Sequence, residues 1–567
     1  MARVTQTVGG SLSFTFFRRS YTTTQASPIR KVIRIVPRKI ISTPMINDDL
    51  RRPMMDDLSH PPKLKRSKLF KEKKISSSPP KHLQGPFVVF IACLPGLESL
   101  LLEEVTFLLA TSDDKSERNK TLKILPGGVE TIVPSLAHLY VLHLYLGTAS
   151  HIYLRLNGGP RSAGLPPLFS ARGFPELQRK VKELMKSQRW DKLFDIPRQS
   201  NIVCEEGSLP WQLQIHVTTS KSKLMHTKAV EERVRKSIGE LLGVKGLDTD
   251  PDARITNSTD NGAVGRPVVR LLIRIDRDEV QLSLDTSSAS SAIPLHMRGY
   301  RLNPHRAPLR EDLAFALLMA GGLKPRWNLQ PLKSFLTMSD IDNSLDKGEN
   351  TGEERLSLHL FDPFCGSGTI AIEAASILAG LPPGRFRPPP LEATTMLNTS
   401  LWNNIKSKAL SVSASSNGTE NTIMVAANDI SKEAIDAAIS NAKRAGVDHI
   451  IDFTVSSFKT HPLSNHSRRQ STAYQISDSR DLLLVTNPPY GKRLVLDKTS
   501  MSIYKQIANA MKAVPYGIQF TMISKEPRLL RESSLPFNVA FSTKQGGLSV
   551  VAMSTGAMDK KPGMKNQ

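Results

Sequence analysis

Apolar and polar positions along this chain of 567 residues follow two different rhythms. Between Pro86 and about Ser287, short apolar runs of strand type, "FVVFIAC" (87–93), "WQLQIHVTT" (211–219), "VVRLLIRID" (268–276) and "EVQLSLD" (279–285), mix with helical stretches. The clearest helical stretches are "GLESLLLEEVTFLL" (96–109) and "KAVEERVRKSIGELLG" (228–243). Few of these strands lie one helical crossover apart, so the region predicts an α+β arrangement. A helix-forming connector, "REDLAFALLMAGG" (310–322), follows within residues 291–330. From about Leu356 strands and helices alternate, which predicts a parallel α/β sheet. Polar stretches at 251–266, 335–355, 408–421 and 460–480 interrupt both rhythms and read as surface loops. No internal repeat is visible.

Length and composition narrow the class. A chain of this size exceeds a single core and predicts roughly two to four domains. The hydrophobic fraction, 39%, is ordinary for a water-soluble protein, and no run approaches the ~18 apolar residues of a membrane span. Cys93, Cys204 and Cys365 lie far apart and fit neither a disulfide framework nor a zinc pattern, so a reducing compartment and no metal are expected.

The formal net charge is +24, and its distribution matters more than its size. Residues 1–81 hold 18 Lys and Arg against 5 Asp and Glu, so +13 of the total lies in that segment. Met1–Asn47 has no acidic residue, is rich in Ser and Thr, and carries Arg18, Arg19, Arg30, Arg34 and Arg38. That composition reads as an organelle transit peptide, for mitochondrion or plastid, and a basic RNA-binding arm is the alternative. A second cluster, "KLKRSKLFKEKK" (63–74), fits a linker, with a nuclear signal or nucleic-acid patch as alternatives, and "SSSPPK" (76–81) ends this segment near Gly85.

The α/β region opens with chemistry. The strand at 356–361 runs into Asp362-Pro363 and then Cys365-Gly366-Ser367-Gly368-Thr369 before a helix. Glycines there permit a sharp turn and let a ligand approach main-chain N–H groups at the helix start, which is the design of a nucleotide-binding turn. The spacing Gly366-x-Gly368-x-x-Ala371 also fits the dinucleotide fingerprint, but the next acid that ends a strand, Asp429, comes 67 residues after Asp362 rather than about 20 beyond the glycines. Farther on, "LLLVTNPPYGKRL" (482–494) breaks an apolar strand at Asn487-Pro488-Pro489-Tyr490. Proline has no N–H and fixes φ, so the strand must end there, either as an ordinary turn or as a rigid loop that presents Asn487.

Taken in order, "LFDPFCGSGTIAIEAA" (360–375), "ANDISKEAIDAAISNAKRAGV" (427–447) and "TNPPYGKRL" (486–494) resemble class I methyltransferases acting on exocyclic amines. Upstream, "IACLPGLESLLLEEV" (91–105), "TTSKSKLMHTKAVEERVRKSI" (218–238), "LSLDTSS" (282–288) and "LHMRGYRLNPHRAPLREDLAFALLMAGG" (295–322) resemble the THUMP-containing RNA guanine-N2 methyltransferases. The pattern is most similar to that of the bacterial large-subunit rRNA enzyme, with a tRNA-methylating group related. The resemblance implies a Rossmann-like methyltransferase domain over 356–556, preceded by a THUMP/ferredoxin-like RNA-binding region over 85–290 and a helical connector over 291–355. Residues 1–84 and 557–567 would be disordered tails.

It also implies roles. S-adenosylmethionine would lie over Gly366 and Gly368, with Asp362 orienting the loop or the cofactor's ammonium and Asp429 accepting the ribose hydroxyls. Asn487 and the carbonyl of Pro488 would hold the target amine while Tyr490 stacks on the base. Lys221, Lys223, His226 and Arg233 would meet RNA phosphates. Arg298 and Arg301 of "RGYR" would line the passage between domains or serve the fold. Two positions depart from the pattern: Ser457 stands where an aspartate usually meets the adenine amine, and Arg310 where lysine is favoured. Rival functions are adenine-N6 methylation, a catalytically silent RNA-binding assembly factor, and, more distantly, a nicotinamide oxidoreductase.

Overall fold

The computed structural model describes residues 85–109, 122–160, 164–194, 211–243, 268–287, 293–302, 308–325, 327–336, 360–392, 394–415, 424–458, 482–489, 507, 519–525 and 537–555. The proposed tails, most of the polar loops, and Tyr490 lie outside these residues.

Eight strands form the first sheet: β1 (Phe87–Cys93), β2 (Lys123–Leu125), β3 (Gly128–Val133), β4 (Ala149–Arg155), β5 (Phe169–Ser170), β6 (Gln212–Ser220), β7 (Val268–Asp276) and β8 (Glu279–Asp285). Their order is β2-β3-β1-β4-β8-β7-β6, with β5 pairing β8. All pairs are antiparallel except β6 with β7. The period-2 pattern explains the layering. Val89, Ile91, Ile152, Leu154, Leu271, Ile273, Leu282 and Leu284 are buried, while their neighbours Phe90, Tyr153, Arg270 and Gln281 are only partly so.

Four helices accompany this sheet: α1 (Glu98–Leu108), α2 (Leu136–Tyr145), α3 (Phe174–Ser187) and α4 (Thr227–Leu242). In α3, Pro175 occupies the first turn, where a missing N–H is harmless, and Leu177, Val181, Leu184 and Met185 form the buried stripe. α4 buries Val230, Val234 and Ile238 and stops at Gly243, whose φ of 68° is the left-handed end that glycine adopts without strain.

Among the described residues the second sheet has seven strands: β9 (Leu360–Asp362), β10 (Val425–Asp429), β11 (Ile451–Val455), β12 (Leu483–Thr486), β13 (Gln519–Ser524), β14 (Asn538–Gln545) and β15 (Leu548–Ser554). Their order is β11-β10-β9-β12-β13-β15-β14, parallel from β11 to β13, with β15 antiparallel to both neighbours. The chain moves outward from β9 through β10 to β11 and then returns to β12 on the other side of β9. This reversal is a topological switch point, where open α/β sheets form a crevice at the strand carboxyl ends.

Helices α5 (Glu311–Ala320), α6 (Thr369–Leu378), α7 (Thr399–Ser415) and α8 (Lys432–Ala445) belong to this half of the chain. α5 is buried from Glu311 through Met319 and packs on α6 and β13, so the connector is part of the second core. The loop expected at 408–421 is corrected in part: residues 408–415 continue α7, whose Trp402, Ile405 and Ala409 are buried at helical spacing despite the Ser-rich sequence. Among the described residues no helix is long and apolar enough to cross a membrane.

Candidate active site

The site is built where β9, β10 and β12 end. After Asp362 the chain turns through Pro363–Gly368 into α6. Gly366 and Gly368 take φ of 54° and 83°, values that a side chain resists. A Cβ on Gly368 would lie 2.9 Å from Cβ of Ala438 on α8, so glycine is needed for this loop to approach the helix. At Gly366 a Cβ would meet nothing within 4 Å, so its left-handed turn faces open space. Gly368 is also the residue that caps α6, and the first turn of that helix carries the positive end of its dipole.

Hydrogen bonds hold the loop from beneath. Cys365 N donates to the Asn428 carbonyl at 2.9 Å, and Asn441 Nδ2 on α8 donates to the Ser367 carbonyl at 3.1 Å. Asn428 in turn donates through Nδ2 to the carbonyls of Pro363 and Ser456 and accepts from Ser456 Oγ. Burial pushes the Cys365 thiol well above its usual range, so it is a packing group rather than a nucleophile.

Asp429 ends β10 and contacts the glycine loop directly. Its Oδ2 accepts from Gly366 N at 3.0 Å, and its Oδ1 from Ser431 N at 2.9 Å. The N-cap of α8 is Ser431, whose Oγ accepts from Ala434 N at 3.1 Å. Asp429 is half-buried, and each carboxylate oxygen retains a lone pair for a ligand. Next to it Ile430 is 76% exposed.

Asp362 is fully enclosed. Its Oδ1 accepts from Thr486 Oγ1 at 3.1 Å and from Phe364 N at 3.3 Å, while its Oδ2 is buried with no hydrogen-bond partner among the described residues. Burial pushes its carboxyl up to about 7, against the lowering effect of those two donors, and Asp429 raises it further. On the neighbouring strand, Asn487 immediately follows β12 and its Oδ1 is likewise buried without a partner among the described residues. Two buried acceptors without donors at adjacent strand ends call for donors from a ligand, since buried polar groups are otherwise paired. Pro488 is buried and Pro489 half-buried, which stiffens the segment carrying Asn487.

Ser457 is half-exposed, two residues past the end of β11. It lies between Ser456, tied to Asn428, and Phe458, whose ring sits 5.4 Å from that of Phe364 in the glycine loop. The structure thus gathers Asp362, Gly366, Gly368, Asp429, Ser457, Asn487 and Pro488 at one end of the sheet. Sequence reasoning missed Thr486, Asn428 and Ile430. An apolar residue directly after a strand-ending acid was the available signal for the last.

The basic residues divide into two groups. Lys221, Lys223, His226 and Arg233 are exposed, on the loop after β6 and on α4, with the Arg233 guanidinium 5.8 Å from the Phe174 ring centre. Arg298 is buried, which places it in the structural alternative, while Arg301 is part-buried. Arg298 is 3% exposed and donates to the carbonyls of Leu295 at 2.7 Å and Gly147 at 2.6 Å. Its Nε lies 3.6 Å from Glu373 Oε2 on α6, and Tyr300 Oη donates to the same carboxylate at 2.9 Å. Arg301 reaches the Leu309 carbonyl, Thr369 Oγ1 and Glu311. Arg298 and Tyr300 are therefore buried ties between the α2–β4 turn and the helix that follows the glycine loop.

Comparison with known proteins agrees with this architecture. Residues 351–535 match the family described as RMKL-like, methyltransferase domain. Over 348 residues the chain is 28% identical to the ribosomal RNA large subunit methyltransferase K/L of Marinomonas sp. (strain MWYL1), covering 60% of this chain and 42% of that protein's length. Among solved structures, a "possible methylase" from Clostridium difficile 630 aligns with a TM-score of 0.59 at 23% identity, over 84% of this chain and all of that one. A "predicted N6-adenine-specific DNA methylase" from Listeria monocytogenes str. 4b F2365 aligns at 0.55 and 21%, over 82% and 95%. SMU.472 complexed with SAH aligns at 0.57 and 17%, over 84% and 99%. At these identities the three share the fold with this chain. The sheet order and the glycine loop agree with the match of residues 351–535 to the RMKL-like methyltransferase domain model.

Proposed function

We propose that this protein is an S-adenosylmethionine-dependent RNA methyltransferase that modifies the exocyclic N2 of a guanine, in large-subunit rRNA. The observation that carries this reading is the unpartnered, buried Oδ1 of Asn487, set beside a glycine loop with its own unpartnered buried acceptor on Asp362. The cofactor fits the residues present. Gly366 opens a space that a side chain would fill, the N-terminus of α6 suits a carboxylate, and Asp429 has acceptor capacity for ribose hydroxyls. S-adenosylmethionine, when bound, supplies a methyl group on a positively charged sulfur.

The protein's own part is positioning. A guanine N2 has its lone pair delocalised into the ring and is a poor nucleophile while it stays conjugated. Asn487 Oδ1 and the Pro488 carbonyl accept its two N–H bonds and turn the lone pair out of the ring plane. The rigid proline segment fixes both acceptors, so their geometry is set before the base arrives. For Tyr490, which lies outside the described residues, the resemblance implies stacking on the extruded base. No strong general base is required, because the amine becomes acidic as it is alkylated. Ile430 offers an apolar face beside Asp429, and Ser457 offers a hydroxyl in place of the usual carboxylate, a weaker acceptor for an adenine amine.

The RNA reading rests on the THUMP resemblance of residues 85–290 and on the exposed cations Lys221, Lys223, His226 and Arg233. The Marinomonas relative is named for large-subunit rRNA, which favours that substrate over tRNA. The basic segment 1–84 is proposed to direct the protein to an organelle, tested by whether a fusion of residues 1–60 to a fluorescent protein leaves the cytosol. The decisive experiment compares nucleosides from separately purified rRNA and tRNA in cells with and without the protein. Loss of N2-methylguanosine from rRNA is the expected result. Loss from tRNA changes the substrate, loss of N6-methyladenosine changes the base, and no change points to a silent RNA-binding protein.

A further inference from the structure

In the first sheet, two separate chain segments converge on the carboxylate of a third, Asp278. The β7–β8 connection is a tight turn in which Arg277 and Asp278 both take positive φ, 49° and 66°. Asp278 Oδ1 accepts from Ser222 Oγ and from Lys223 N, each at 2.8 Å, and Oδ2 pairs with Arg172 Nε at 3.3 Å. The main chain adds two bonds, Arg277 N to the Ser220 carbonyl at 3.0 Å and Ala171 N to the Asp278 carbonyl at 2.8 Å. The loop after β6 is therefore not loose. Lys221 is held at φ 49°, Ser222 Oγ also accepts from Leu224 N at 3.1 Å, and Leu224 is buried as an anchor.

That fastening decides what faces solvent. Ser222 and Leu224 turn inward, so Lys221, Lys223 and His226 turn outward, with Arg277 on the adjoining turn and Arg172 70% exposed across from it. Glu279 is an exposed carboxylate on the same hairpin, and Asp278 itself is turned in toward the loop, its side chain 14% exposed. Hydrogen bonds, the Lys223 backbone N–H foremost and then Ser222, hold the Asp278 carboxyl below the usual carboxylate range.

We propose that Asp278 is the positioning residue of an RNA-backbone contact edge formed by Lys221, Lys223, Arg172 and Arg277. The inference rests on the RNA-binding reading above. Its content is that the cations work through fixed spacing, and that a negative charge in their midst strengthens phosphate binding by setting that spacing. Simple electrostatics makes the opposite statement, since removing a carboxylate from a basic surface should tighten binding to a polyanion.

The opposition in sign gives the test. Full-length protein is titrated into a 5′-labelled RNA stem-loop, read by fluorescence anisotropy at two salt concentrations. Asp278→Ala, which loses all three side-chain contacts, is expected to weaken binding about fivefold or more, whereas Asp278→Asn keeps an acceptor for Ser222 and Lys223 and stays within about twofold of the parent or tighter. Equal tightening by both variants, or no change in either, overturns the positioning role. The combined Lys221→Glu and Lys223→Glu variant tests the underlying reading. If it weakens RNA binding while Asp278→Ala does not, only the role of Asp278 falls. If it leaves affinity and salt slope unchanged, RNA does not bind this edge and both readings fall, leaving an acidic protein surface as its partner. Should Asp278→Ala lose cooperative melting, Ser222→Ala removes one of the two donors and is expected to weaken binding about twofold to threefold; no shift there overturns the proposal.

Discussion

Thr486 Oγ1 donates a hydrogen bond of 3.1 Å to Asp362 Oδ1, and both residues are essentially buried. The bond joins the carboxyl end of β12 to that of β9 across the switch point, so the segment presenting Asn487 and the loop presenting Gly366 share one contact. Thr486→Val keeps the shape and removes the donor. It is expected to lower kcat about tenfold and weaken cofactor binding by a similar factor, at a stability loss of about 1 kcal/mol. Loss of kcat with cofactor affinity unchanged would place Thr486 in the service of Asn487 alone.

Asn487→Ala removes the unpartnered acceptor. Turnover should fall by about two to three orders of magnitude, as for loss of a group that acts mainly in the transition state. Cofactor affinity, measured by calorimetry, should stay within about twofold, since the residue is assigned to the target amine. Unchanged turnover would remove the positioning mechanism.

Asp429 carries two duties. It holds Gly366 N at 3.0 Å and is proposed to accept ribose hydroxyls, so Asp429→Ala should raise the cofactor Kd by about 10- to 100-fold, beyond the loss of one hydrogen bond. Ile430→Ser removes only the apolar face and should raise Kd about threefold to tenfold. A normal Kd in Asp429→Ala would retire the ribose assignment.

Much of this site was legible because its chemistry sits at strand ends, where glycine, proline and acid punctuate apolar runs. "DPFCGSGT", "ANDIS" and "TNPPY" mark β9, β10 and β12 without any knowledge of sheet order. Burial of charge was not legible. Arg298 sits beside a glycine in a polar-looking stretch, and only the carbonyls of Gly147 and Leu295 reveal it as internal. The helical continuation at 408–415 was hidden by serines, whose low helix propensity is overridden by the packing of Trp402 and Ile405. Asp278 was unreadable for another reason: its partners come from segments 106 and 55 or more residues away in sequence.

The Arg298 assignment has its own consequence. Arg298→Met leaves Glu373 buried without its cation and the Gly147 carbonyl without its donor, which should cost about 3–5 kcal/mol of stability. The salt slope of RNA binding by the remaining folded protein should not change, because a fully internal guanidinium releases no counterion. A lower slope with stability intact would return Arg298 to the RNA surface.

Stability should depend on pH through Asp362. Its ordinary carboxyl value is 3.8, and burial pushes it up to about 7 in the folded protein. Between those values the folded state holds a proton that the unfolded chain has released, so this residue's contribution falls as pH rises from about 4 to 7 and is level above that. At pH 8 ionised Asp362 costs the folded protein on the order of 4 kcal/mol, and Asp362→Asn should recover part of it. The buried histidines act in the other direction. His138 and His143, held down by burial to about 4 and about 3, contribute stability that is present above about 6.5 and lost as pH falls through those values. They are common to both proteins and cancel in the comparison. Melting curves of the two proteins from pH 4 to 8 should therefore converge at the acid end and separate toward pH 8, with the variant the more stable and the weaker in cofactor binding. Parallel curves would mean that Asp362 is already ionised in the folded protein at acid pH, and the unpartnered oxygen would then need a donor from within the chain.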